Sequence, residues 1–494
     1  MERLSINLSD YGYQGVNGYG QGNMGEVDAL NKALAAGEIT GRETTNMTDA
    51  SGSPLKVESL EKTLKHLTFR ESDIRLWKDI PKKPAYNTVE EYNQQVSYGQ
   101  DRGGFNAEGE LPEEEDSVFV RRSQLVKYLG VTKSVTHQMT LVNTMIGSVM
   151  EKTIKDGTLW ILRKLTKSLY FGDEQLIPLE FNGFLAQQKQ SDAWANYNQY
   201  MTSEHVIDMR GASLDESAIE SGANSIVESF GLATQLYAAP AVLSGFVKQF
   251  YGNKFIMPNT QALTNGVMGQ RVQQFESQFG PIGLNQDVFF KKLPAKAANA
   301  AATSEKAPTK PTITASAVSA GAANSKFTSS DAGNIYYAVS AINRYGESDL
   351  RIAGSPTAVA VVATGAVDIA ITDGGGLHPA TAYRIYRTMA GAGADGPFYP
   401  LFDVSTANVT TGFDGATAGS VRDLNRFMPN CDQAMLVQFD NEVVEFAQLA
   451  PLMKMDLALL SPAYRFMILL YGTPFLYAPK KMVRIINIGA YKAS

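Results

Sequence analysis

Four histidines (His66, His137, His205 and His378) and one cysteine (Cys431) are the side chains best suited to metal binding or nucleophilic chemistry. No two of the histidines stand in a His-Glu-x-x-His arrangement, which would put a pair of imidazoles on one helical face. One cysteine can form neither an intrachain disulfide nor a cysteine zinc site, and it reads as a small buried hydrophobe. No Gly-x-Ser-x-Gly elbow, phosphate-binding loop or dinucleotide fingerprint occurs. Asp373-Gly-Gly-Gly376 lacks the Lys-Ser/Thr and helix of a phosphate cradle and reads as a turn. The acidic run Glu108 to Asp116 lacks the alternating Asp-x-Asp-x-Asp-Gly pattern that converges carboxylates on calcium, so a solvated loop tip is expected. Trp77, Trp160 and Trp194 lie apart, and core packing is expected for each. The residues therefore point to no enzyme, no metal and no cofactor.

The elements around them say more. The chain has 494 residues, 44% hydrophobic and 19% charged, enough apolar material for two to four domains. Its net charge of −6 argues against a protein that wraps nucleic acid through a basic excess. The first ten residues contain no apolar stretch of the kind a secretory signal carries. No window approaches 18 uncharged apolar residues, so no membrane partner is expected; Ala463 to Ala478 comes nearest and reads as a buried strand pair or core segment.

Residues 1 to about 55 are rich in Gly, Asn, Ser and Thr, and cannot bury enough surface to fold alone. A short helix is expected at Gly25 to Ala36 and another at Leu55 to Trp77. From Tyr86 to Met139, two limbs, Thr88–Tyr98 and the partly alternating Ser117–Leu129, flank a Gly- and acid-rich middle. This reads as a long β-hairpin with a charged tip, too poor in apolar surface to stand alone. Apolar residues at three- and four-residue steps predict a helix from Leu141 to Tyr170, about 30 residues or roughly 45 Å. Glu216–Gln235 and Pro240–Phe250 read as helices, and Gln270–Phe290 as strand, turn, strand. Leu293 to Pro311 is an Ala/Pro/Thr linker. Beyond it, short alternating runs at Thr312–Ala315, Ile335–Ile342, Val367–Thr372, Ala382–Arg387 and Phe398–Phe402 predict an antiparallel β-sandwich. After Phe427 the earlier composition returns, with strands at Met435–Phe439, Phe466–Tyr471 and Lys481–Ile488. The sandwich is thus inserted into a host domain.

This order of arm, hairpin, long helix and interrupted mixed domain resembles the Hong Kong 97-type major capsid proteins of tailed bacteriophages. Tyr170-Phe-Gly-Asp-Glu-Gln-Leu-Ile-Pro-Leu-Glu-Phe-Asn-Gly-Phe-Leu185 is similar to the stretch that follows the family's spine helix. Phe275–Leu284 and Ala478–Asn487 resemble its axial and peripheral strands. Tyr336-Tyr-Ala-Val-Ser-Ala-Ile-Asn-Arg-Tyr-Gly-Glu-Ser348 resembles a strand of immunoglobulin/fibronectin-III-like modules. The resemblance implies an α+β fold: an N-terminal arm (1–70), an E-loop hairpin region (71–140), a spine helix (141–175), a peripheral/axial domain in two parts (176–300 and 427–494) and an immunoglobulin-like insertion (301–426).

The resemblance also implies function. The chain would assemble with itself, as hexamers and pentamers, into the icosahedral head shell around double-stranded DNA. Scaffold, portal and decoration proteins would be its partners, and the virion its location after synthesis in the bacterial host cytoplasm. Arg102, Glu113, Glu114, Glu115, Asp116, Arg121 and Arg122 at the hairpin tip would make intersubunit contacts. Two rival readings are a phage tail or surface-layer subunit and a carbohydrate-binding surface protein using the sandwich. The second needs paired carboxylates or an aromatic platform, and neither has recognisable spacing here.

Overall fold

The computed structural model describes residues 68–99, 105–111, 114–142, 148–190, 205–253, 272–352, 358–458 and 461–491; strands and helices are numbered along the chain. The arm, the helix expected at 25–36 and most of the one expected at 55–77 lie outside these residues. At the end of that second stretch, Glu71–Asp73 forms a single 3-10 turn and α1 spans only Leu76–Asp79. Ile80 is extended at ψ 128° because Pro81 follows, and the ring of a proline disfavours a helical residue before it.

The first sheet has the order β1 (Lys82–Pro84), β20 (Val444–Asp456), β21 (Ala463–Leu476), β4 (Lys127–Thr136). Along β4, Leu129, Val131 and Val135 point inward while Tyr128, Gly130, Thr132 and Ser134 are exposed, the period-two pattern of a sheet with one buried face. Helix α3 (Val149–Phe171) covers that face with Ile161, Leu162, Leu165 and Leu169, which meet Leu129, Val131 and Ile468. The helix was expected from Leu141 onward. Instead His137–Leu141 forms a separate turn, α2, and Val142 is extended at ψ 132°. Ser148 starts the long helix by accepting a hydrogen bond from the Glu151 amide, so it is 23 residues long, not about 30. Gly157, a poor helix former in its middle, is there for packing: a Cβ would lie 2.7 Å from Ile468 Cδ1.

The second sheet runs β5 (Val206–Asp208), β22 (Met482–Ile488), β19 (Asp432–Val437), β6 (Gln235–Ala238), β8 (Gly280–Gln286), β7 (Gln274–Ser277). Helices α5 (Glu216–Glu228) and α6 (Pro240–Asn253) pack on it through Ile219, Ala223, Ile226, Val242 and Phe246. The expected run to Gln235 stops at Glu228 because Phe230 turns left-handed (φ 59°) and Gln235 already belongs to β6. Helix α4 (Phe184–Gln190) ties the two sheets together. Gln187 donates to the Pro474 carbonyl of β21 and accepts from the Leu476 amide, both at 2.8 Å; Gln188 donates to the Met482 carbonyl of β22 at 2.7 Å.

Residues 312–423 build sheets of their own. One joins β9 (Thr312–Val318), β15 (Ala366–Thr372) and β18 (Ser420–Asp423). The other joins β11 (Tyr337–Asn343), β16 (Ala382–Arg387) and β17 (Tyr399–Ser405), with short β12 (Gly346–Glu347) and β13 (Arg351–Ile352) on β11. A third pair is β10 (Gly333–Ile335) with β14 (Val359–Val361), and α7 (Thr406–Thr411) follows β17. Val339, Ile369, Ile371, Ile385 and Val421 fill the core between the layers. Among the described residues no strand of this block pairs with a strand outside it.

The stretch read as an Ala/Pro/Thr linker is docked onto the block. Lys296 exchanges both backbone hydrogen bonds with Phe398 at 2.9 Å, and Ala298 and Ala300 pack with Leu350, Tyr386 and Phe398. Where the chain enters and leaves the block, the Lys292 amide donates to Asp432 Oδ1 (3.1 Å) and its ammonium to the Asn430 carbonyl (2.6 Å), clamping the two ends side by side. A polar node completes the junction. Arg210 donates to the Asn425 carbonyl (2.8 Å) and to Asp331 (3.1 Å), while Asn487 donates to Asp208 (2.6 Å) and to the Arg426 carbonyl (2.7 Å). Behind it the buried Arg387 meets Asp423 at 2.7 Å and Asn425 Oδ1 at 2.6 Å, so neither charge is left alone in the interior.

Two measurements follow from this packing. Leu165→Ala, at a fully buried position on α3, is expected to cost about 2–5 kcal/mol in denaturant unfolding. Burial pushes the Cys431 thiol up to about 11, so at pH 8 it is expected to react with maleimide about a hundredfold more slowly than an ordinary thiol, accelerating about tenfold per pH unit towards 11.

Candidate functional site

The feature of the fold that its own core does not complete is the hairpin. Strands β2 (Val89–Ser97) and β3 (Val118–Leu125) pair antiparallel, Val89 with Leu125 through to Ser97 with Val118. The limb expected to run to Leu129 is divided at buried Val126: β3 stays on the hairpin and β4 turns into the first sheet. Two strands alone are marginal in water, so the root must be held. Tyr92 stands edge-on to Tyr477 (4.8 Å) and Phe475 (5.5 Å), and Gln94 donates to the Tyr477 carbonyl. Lys83 donates to the Tyr477 hydroxyl at 2.6 Å and lies 4.6 Å over the Phe475 ring. The Tyr477 hydroxyl in turn donates to Glu445 at 2.8 Å; burial and then that carboxylate hold the phenol well above its ordinary range.

Away from the root the ribbon exposes apolar side chains. Tyr98 is 85% exposed, Phe105 fully so, Leu111 90% and Phe119 65%. Among them stand the acids: Glu108, Glu110, Glu114, Glu115 and Asp116 are all exposed. Of the expected contact residues, Glu114, Glu115 and Asp116 lie on this outer part. Arg121 and Arg122 do not; they sit within the ladder, opposite Asn93 and Tyr92. Arg121 pairs with Glu91 at 3.4 Å, an exposed pair worth less than about 1 kcal/mol, and Arg122 donates to Gln94 Oε1 at 3.1 Å. Arg102 and Glu113 lie outside the described residues. The exposed aromatic and apolar residues were missed in the sequence, although Phe105 and Leu111 stand there without periodic partners, which is their signal.

The residues suited to catalysis are scattered. His205 is buried and shares a 3.0 Å hydrogen bond with Ser229 Oγ; His137 faces Tyr464 and His378 faces Tyr345 across edge-on ring contacts. His66 lies outside the described residues. Among the described residues no three His, Cys, Asp or Glu side chains converge as metal ligands, and no helix is long and apolar enough to cross a membrane.

No family model matches the chain. Curated relatives match nearly all of it. A putative major capsid protein of Enterococcus phage phiEF24C is 25% identical over 94% of this chain and 96% of its own length. The major capsid proteins of Staphylococcus phages S25-3 and K are each 25% identical over 91% of this chain and 93% of theirs. Among solved structures, the capsid of an empty GTA particle aligns over 90% of this chain and 99% of that one, at 9% identity and a TM-score of 0.45. The SrpI encapsulin of Synechococcus elongatus aligns over 90% of this chain and 97% of its own, at 7% identity and a TM-score of 0.41. With an α+β architecture and a hairpin ahead of one long helix, the chain is similar over nearly its whole length to phage major capsid proteins.

Proposed function

We propose that the chain is the major capsid protein that builds, from copies of itself, the icosahedral head shell enclosing the double-stranded DNA of a tailed phage. The observation that carries this reading is the hairpin, anchored at its root and clad beyond it in large exposed apolar residues. Isolated soluble proteins rarely expose such a surface without a partner. A ribbon that lies on the next copy, which lies on the next, closes into rings, and hexamers and pentamers of this kind tile a shell. The chemistry of such a subunit is contact, not turnover, as the relatives named major capsid proteins support. Scaffold, portal and decoration proteins are its natural partners, the packaged DNA its neighbour, and the virion its place.

The 312–423 block is read as an immunoglobulin-like module inserted into the peripheral and axial parts of the host domain. Its two antiparallel layers and separate core support this. A carbohydrate-binding role finds no support in a carboxylate pair or aromatic platform, and the end-to-end relatives favour the head over tail or surface layers.

Two experiments test these statements. Negative-stain microscopy of the purified chain, alone and with its scaffold protein, is expected to show large closed or tubular particles; monomers under every salt condition would overturn the shell reading. Replacing Lys296–Asn425 by a short Gly-Ser bridge is expected to leave a host domain that unfolds cooperatively, since Lys292 and Asp432 already hold the ends together. Insoluble or non-cooperative protein would overturn the insertion boundaries.

A further inference from the structure

A cavity of about 1190 Å³ lies where the C-terminal half of α3, the 288–294 segment and the β17 side of the 312–423 block meet. Small-molecule sites commonly occupy roughly 300–1,000 Å³, so a ligand and some water fit here. Helical spacing sets the host side of the lining. Arg163, Lys167 and Phe171 follow one another at four-residue steps, share one face of α3, and all line the cavity. Phe171 stacks on the buried Phe290, with 5.4 Å between centroids and 16° between planes, yet stays 41% exposed. Lys291, just after Phe290, adds a third cation. From the block and the segment that leaves it come Phe402, Phe413 and Phe427. They form one cluster, with Phe402 6.1 Å from Phe413 and 5.9 Å from Phe427.

The carboxylates that line the cavity are engaged elsewhere. Asp403 holds Arg384 through two hydrogen bonds of 2.6 and 2.7 Å, Asp432 pairs with Lys292 at 3.3 Å, and Asp173 accepts the Gln175 amide at 2.9 Å. Among the described residues none forms an ion pair with Arg163, Lys167 or Lys291. Burial, and then the nearby charges of Arg163, Lys164 and Lys291, lower the Lys167 ammonium from its ordinary range, as expected of crowded like charges. Three uncompensated cations call for an anion of several charges. The phenylalanine cluster in the same cavity calls for a flat apolar group carried by that anion.

We propose that this cavity binds a nucleoside polyphosphate, its phosphates among Arg163, Lys167 and Lys291 and its base on the Phe402, Phe413 and Phe427 cluster. Stacking on aromatic side chains accepts any base, because every base has a flat face. A fatty acid fills the apolar part but brings one charge to three cations. Duplex DNA brings phosphates, but its bases are stacked inside and do not reach the phenylalanines. The lining comes from both host and block, so an occupied site ties the inserted block to α3 and raises the thermal midpoint of the chain. The inference does not depend on the shell reading.

Calorimetric titration of the full chain with ATP, inorganic tripolyphosphate, adenosine and decanoate tests the site. ATP is expected to bind on the order of tenfold tighter than the other three, since it alone answers both parts of the lining. Lys167→Glu and Phe402→Ala are each expected to weaken ATP on the order of tenfold. Lys155→Glu, on the same helix but outside the lining, is expected to leave ATP binding unchanged. Cys431 lines the cavity, so saturating ATP is also expected to slow its reaction with maleimide. Thermal unfolding checks that each variant folds; Lys291→Glu and Phe413→Leu replace any that does not. Equal binding of tripolyphosphate and ATP reduces the site to charge attraction and overturns the proposal. Tighter binding of decanoate, no ATP binding at millimolar concentration, or ATP binding that the cavity variants leave unchanged overturns it as well.

Discussion

The host body depends on two strands that the chain supplies late. In the second sheet β19 and β22 are interior, flanked by β6 and β5 from far earlier in the sequence, with Ala434 opposite Ala238 and Arg484 opposite Val206. The first sheet repeats the arrangement: β21 is sandwiched between β20 and the early β4. Neither sheet is complete until residues 432–488 have arrived, and without Phe446, Phe466 and Ile468 the stripe of α3 keeps only the β4 residues Leu129 and Val131 of its sheet partners. The whole 312–423 block must therefore be accommodated without disturbing sheets that close around it.

The junction shows how that is managed. Lys292 ties the entering chain to Asn430 and Asp432, and Asn487 on β22 reaches both Asp208 and the Arg426 carbonyl. The Asn487 contacts are short and at least partly buried, and there geometry decides orientation more than net energy does. The block is thereby held to the host by directed bonds from several separate segments.

Much of this was legible in the sequence, and the reason differs by element. The strands of the 312–423 block announced themselves through alternation, since each has one buried face; β11, β15, β16 and β17 fall where Ile335–Ile342, Val367–Thr372, Ala382–Arg387 and Phe398–Phe402 were read. The apolar stripe of α3 was plain, but its start was not, because Val142, Met145 and Ile146 continue the periodicity while the Ser148 cap decides the boundary. Strand β20 was not foreseen: Pro451 and the run Leu452-Met-Lys-Met455 carry no alternation, and pairing with β21 alone imposes the strand. The hairpin limbs were read, but the exposed aromatic residues were not, because a sequence does not say which apolar residues its own core will fail to cover. The clamp and the polar node depend on tertiary proximity between residues 61 to 279 positions apart, and no local pattern reports that.

The clamp at Lys292 has a consequence for how such a chain diversifies. Two backbone ends pinned within hydrogen-bonding distance set a simple rule for what the host can carry between them: a module whose own termini lie together. The position is thus a socket, whose contents can change without moving the two ends that Lys292 holds together.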